Sequence, residues 1–199
     1  MEDFNNALFI YSVAKDFLGQ SAHAAKKVFL NPELLDVETE GQLQSLGKLP
    51  FPMVAASFSM ELALKGLLMN NNIEIPNKHY LKKLFFLLLP DVQERIIQNY
   101  LNQNEFNGYP NFFLKVGNKN ATLPPTVLPE KNEKLINQHV EELLERHKSA
   151  FIDFRYLHEF GINKHELAMD YKYLANFTYS VLSVLANDIG LQTNLTPLP

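Results

Sequence analysis

A chain of 199 residues, 46% hydrophobic and 20% charged, is long enough to bury one sizeable core and too apolar for intrinsic disorder. The absence of cysteine excludes disulfides, thiolate metal sites and a cysteine nucleophile. A formal net charge of -4 counts against a polyanion-binding surface over the whole molecule but leaves room for a local basic pocket.

The acidic start, Met1-Glu2-Asp3-Phe4, lacks the basic region of a secretory signal, so a cytoplasmic location is the default expectation. Residues 3–29 place Phe4, Ala7, Leu8, Tyr11, Ala14, Leu18, Ala22, Ala25 and Phe29 at helical spacing, which predicts an amphipathic first helix ended by Asn31-Pro32. A polar loop over 32–49 follows, and Pro50 and Pro52 mark the entry to a second helix stopped by Asn70-Asn71-Asn72. Residues 79–89 predict a short apolar helix closed by Pro90, and Asp91 to Gln103 another. The run Leu84 to Leu89 is too short to span a bilayer, and no membrane partner is expected.

Gly108, Pro110, Gly117, Pro124, Pro125 and Pro129 forbid a helix over 104–129, an irregular loop insertion. Its aromatic half, Phe106, Tyr109, Phe112 and Phe113 with Leu114, is expected to pack on the bundle. Glu130 to Phe160 predicts the longest helix, with Val140, Leu143, Leu144, Phe151 and Phe154 inward and Gly161 as C-cap. Asn163 and Glu166 resemble a capping box opening the last helix, whose stripe is Leu167, Tyr171, Leu174, Thr178, Val181 and Leu185. Gly190 ends it, and 191–199 reads as a flexible tail. No repeat and no strand-like alternation is evident. The expected fold is therefore all-α, an up-and-down bundle of five or six helices forming a single domain over residues 1–190.

Within the second helix, Ser57, Glu61 and Lys65 recur at i, i+4 and i+8, one polar stripe on an otherwise apolar cylinder. Such a helix belongs inside a protein, so Glu61 and Lys65 are expected in a groove between helices, where charges need partners. Arg155 faces both His158 and Glu159 one turn on. A histidine near neutral pH moves a proton and an arginine stabilises charge developing on phosphate oxygens, a pair suited to phosphodiester chemistry.

Three segments occur in order: Glu61-Leu62-x-x-Lys65-x-Leu67-Leu68, His79-x-Leu81-x-x-Leu84-Phe85 and Phe151-x-x-x-Arg155-Tyr156. Together they resemble the HEPN superfamily of helical-bundle proteins, over roughly residues 54–90 and 133–185. The resemblance implies homodimers and RNA cleavage or nucleotide and RNA binding, often in toxin–antitoxin or abortive-infection systems. A cognate nucleotidyltransferase or antitoxin is then an expected partner. It also implies a catalytic set of Arg155, His158 and Glu61, with Lys65, Tyr156 and His79 on the nucleotide or phosphate, and no metal or cofactor. Ribonuclease members carry a wider arginine-to-histidine spacing with a polar residue after the arginine. Here two residues intervene and Tyr156 follows Arg155.

Each feature also has a structural alternative. Arg155–Glu159 fits an intrahelical pair, Glu61–Lys65 a buried pair fixing register, His79 a helix-start residue bonded to a neighbouring helix, and Lys82 and Lys83 a solvated face. The rival to a binding module or divergent ribonuclease is thus a catalytically silent homodimeric interaction module.

Overall fold

The structure is a computed structural model that describes residues 2–29, 50–77, 79–103, 113–116, 133–148 and 167–191. It is an all-α bundle. Among the described residues six helices occur: α1 (Glu2–Phe29), α2 (Pro50–Asn70), α3 (Leu81–Leu87), α4 (Pro90–Gln103), α5 (Glu133–Arg146) and α6 (Tyr171–Asp188). A two-stranded antiparallel ladder joins them, with β1 (Phe113–Val116) against β2 (Leu167–Asp170) in the register Phe113 to Asp170 and Val116 to Leu167.

Helix α2 is apolar around most of its circumference and lies at the centre, packed on α1, α6 and α3. Met53, Ala56, Met60, Ala63, Leu64, Leu67 and Leu68 are wholly buried there. By length and composition Phe51–Asn70 could cross a bilayer, but 72% of its apolar window is buried inside the bundle, the condition of a core helix. The antiparallel α1–α2 pair is pinned by two hydroxyls: Ser59 Oγ donates to the Ala14 carbonyl at 2.6 Å and Ser21 Oγ to the Pro52 carbonyl at 2.7 Å. Near the other end of the pair, Gly66 permits close approach. A Cβ there would lie 2.8 Å from Leu185 Cδ2 of α6 and 3.2 Å from Ile10 Cγ2 of α1.

Helix α6 runs parallel to α2 and closes the core from the other side. Its first residue, Tyr171, is wholly buried with its hydroxyl 2.9 Å from Ser21 Oγ, and burial pushes the phenol upward. Its last turn is held by Arg95 of α4, whose two terminal nitrogens donate to the Asp188 carboxylate at 2.5 and 3.1 Å. Between these ends Phe177 meets Phe85 and Tyr100 edge to face, and Tyr100 stacks on His139 of α5.

Helices α2 and α6 stop by one device. After α2, Asn72 takes a positive φ of 55°, the Ile73 N–H reaches the Leu68 carbonyl and the Asn72 N–H reaches Met69. After α6, Gly190 at φ 70° repeats the pattern, with Leu191 bonded to Ala186 and Gly190 to Asn187.

Two helix boundaries differ from expectation. The helix expected over 130–160 ends at Arg146, where the Lys148 N–H turns back to Glu145 in a tighter closure; the Leu143 carbonyl accepts both the His147 N–H and its ring Nδ1–H. The longest described helix is α1, at 28 residues. The last helix begins at Tyr171, since Leu167–Asp170 pairs in the ladder instead of extending the helical stripe. The ladder also gives Phe113 and Leu114 of the expected irregular insertion backbone partners in the strand that leads into α6. The capping pair Asn163 and Glu166, and Gly161, lie outside the described residues.

Candidate functional site

Glu61 lies midway along α2, where neighbouring helices cover the chain, and its side chain is only 4% exposed. A carboxylate so placed must be compensated. Its Oε1 accepts two hydrogen bonds of 2.8 Å, one from Lys65 Nζ a turn later and one from His79 Nδ1 across the α2–α3 connection. Ser57, a turn earlier on the same face, is also buried, and its Oγ has no hydrogen-bond partner among the described residues. The stripe read from the sequence is thus a polar seam in the core, and His79 is the neighbour bonded to it.

Exposure rises outward along this cluster, from Glu61 to Lys65 at 20% and His79 at 46%. A carboxylate only accepts, so His79 Nδ1 carries a proton and Nε2 is the nitrogen left to exchange one. The buried carboxylate therefore fixes tautomer and ring orientation, as a general acid–base histidine requires. Lys65, with one N–H on Glu61, retains two donors for an anion.

The two buried histidines among the described residues serve the fold. His147 Nδ1–H donates to the Leu143 carbonyl at 2.7 Å, while Nε2 accepts the Asp170 N–H at 3.2 Å. With both nitrogens committed and no exposure, desolvation drives its pKa down to about 4. Beside it Arg146 donates to Asp170 Oδ2 at 2.8 Å, so the end of α5 is clamped to the entry of α6. His139 is enclosed by Tyr100 and Tyr173, with Nε2 2.9 Å from the Tyr100 hydroxyl.

Of the six residues expected at the site, the structure brings together Glu61, Lys65 and His79. Arg155, Tyr156 and His158 lie outside the described residues. No group of three or more His, Asp or Glu that could hold a metal ion occurs among the described residues.

Sequence reasoning missed a groove beginning one residue after His79. Tyr80, Phe86 and Leu87 are each more than 40% exposed and line it, with Lys82, Lys83 and Lys148 around them. The signal was available: Leu81, Leu84 and Phe85 already fill the inward face of α3, leaving Phe86 and Leu87 outside.

Compared with protein-family models, curated proteins and solved structures, the chain finds no match.

Proposed function

We propose that this chain is a HEPN-like module that binds single-stranded RNA or a nucleotide in the cytoplasm of a cell using it in a toxin–antitoxin or abortive-infection system. The observation that carries the reading is the double hydrogen bond on Glu61 Oε1, which positions a lysine and an outward-facing histidine around one buried carboxylate. Lys65 then meets a phosphate and Arg155 and Tyr156 complete the contact, with His158 or His79 moving the proton. The order of the three sequence segments supports placing them on one site. A cognate antitoxin or nucleotidyltransferase would be the protein partner.

The reaction class open to such a site is metal-independent RNA cleavage. A histidine removes the 2′-hydroxyl proton, that oxygen attacks the adjacent phosphorus, and the 5′-oxygen leaves with a proton returned to it.

The test is binding of a fluorescent single-stranded RNA at rising salt. Affinity should fall with salt, because phosphate contacts release counterions, and Arg155→Ala and Lys65→Ala should each remove binding. Cleavage should additionally vanish in His158→Ala with binding retained. No binding by the wild-type chain at low salt would overturn the reading. A catalytically silent homodimeric module would then be the better account, and the exposure of Tyr80, Phe86, Leu87 and Leu89 favours it.

A further inference from the structure

The outer side of α3 and the last turn of α5 enclose an open groove of about 740 Å³, a size suited to a small organic ligand. Its walls are the half-exposed faces of Tyr80, Phe86 and Leu87, and its rim holds Lys82, Lys83 and Lys148 with the acid Glu145, Glu141 standing behind Lys82. We propose that this groove binds a nucleoside monophosphate, with the base against Tyr80 and Phe86 and the phosphate among the three lysines. The inference rests on the nucleotide-binding reading above and adds to it a second subsite, separate from the Glu61 cluster.

Charge complementarity selects this occupant over a purely apolar one. In a chain of net charge -4, three cations gather around an aromatic surface. Two of them converge on one point: the Glu145 carboxyl is held below its ordinary value by its hydrogen bond to Lys148, with a further contribution from the charge of Lys82, while Lys83 stands over the Tyr80 ring. An anion is therefore stabilised where Glu145 now sits. The pairs in place yield readily. Lys82 reaches Glu141 at 3.2 Å and Lys148 contacts Glu145, with all four side chains 35–49% exposed. Such surface pairs contribute little, whereas a phosphate brings roughly -1.5 to -2 charges to the same lysines. The aromatic half is already used for a flat electrostatic contact, since Lys83 Nζ lies 5.3 Å from the centroid of the Tyr80 ring. A base stacks on such a ring whatever its identity, because every base has a π-face.

The experiment is a calorimetric titration of the full chain with AMP, adenosine and inorganic phosphate in parallel. AMP should bind at least tenfold more tightly than either half. Lys83→Glu and Phe86→Ala should each weaken AMP at least tenfold, while Lys15→Glu on α1, the same charge change elsewhere, should not. If Phe86→Ala lowers the melting temperature, the exposed Lys83→Glu decides. Adenosine binding as well as AMP, or Lys15→Glu weakening AMP as much as Lys83→Glu, would overturn the inference. AMP failing to bind while single-stranded RNA binds and is lost in Lys65→Ala would overturn the groove alone. AMP binding that depends on Lys83, with RNA binding absent, would uphold the groove and remove the RNA reading of the Glu61 cluster.

Discussion

Glu61 and His79, eighteen residues apart, share a hydrogen bond of 2.8 Å between Oε1 and Nδ1, and the same oxygen holds Lys65. One oxygen thus compensates two groups, and its removal strands both. Glu61→Ala should destabilise the fold by about 3–5 kcal/mol, the range for breaking a buried pair. Glu61→Gln should cost less, since an amide oxygen still accepts. Urea denaturation of both variants checks this, and a loss within about 0.5 kcal/mol for the alanine would show that the seam is solvated.

The clamp at His147 predicts an acid-sensitive fold. Its folded pKa, about 4, lies below the ordinary 6.5 because burial disfavours the imidazolium. The unfolded chain therefore binds the proton more readily. The contribution is complete above pH 6.5 and is lost as pH falls toward 4, amounting to roughly 3 kcal/mol if the shift is fully expressed. Protonation also removes the acceptor for the Asp170 N–H; the Asp170 carboxylate favours the imidazolium and Arg146 opposes it. Denaturation midpoints measured from pH 7.5 to 4 should fall, and His147→Gln, though less stable at neutral pH, should flatten the profile.

Two glycines in helices should respond oppositely to alanine. Gly19 on α1 has open space where a Cβ would stand, so Gly19→Ala should gain up to about 1 kcal/mol from helix propensity. At Gly66 the same gain is opposed by contacts with buried Leu185 and with Ile10, and overpacking of this kind costs about 1–3 kcal/mol. Melting temperatures should therefore rise for Gly19→Ala and fall for Gly66→Ala.

Exposed Phe9, Phe51, Tyr80, Phe86, Leu87, Leu89 and Leu135 are more large apolar side chains than a solvated surface needs. The expected outcome is a homodimer, with twice the chain mass in sedimentation at micromolar concentration. A monomer at that concentration would refute it.

Much of the bundle was legible because its boundaries are written in local chemistry. Asn72, in the run Asn70-Asn71-Asn72, and Gly190 supply the left-handed residues that end α2 and α6, while Pro90, read as the stop of the preceding helix, is also the first residue of α4. The pairing of Glu61 with Lys65 was legible for the same reason, since four-residue spacing stacks side chains on a helix. What was not legible depends on contacts distant in sequence. Leu167 continues the helical stripe of α6 perfectly well, yet its segment is extended because Phe113–Val116 offers it a ladder partner. His147 fits the inward face of a long helix, and its bond to the Asp170 N–H, which ties the end of α5 to the entry of α6, depends on a partner distant in sequence. Periodicity on α3 leaves Phe86 and Leu87 outside, but that Lys148, just after α5, faces them is a contact distant in sequence.

The hydrogen bond between Ser21 and Tyr171 spans 150 residues of chain. Because α6 completes the burial of both α1 and α2, a growing polypeptide must expose the oily surface of α2 until almost everything described here has been synthesised. At about 5–20 residues per second this leaves an interval of several seconds in which α1 and α2 lack the cover of α6. Synthesis speed and chaperone supply, more than the equilibrium stability of the finished bundle, should then govern how much of this protein escapes aggregation in a cell.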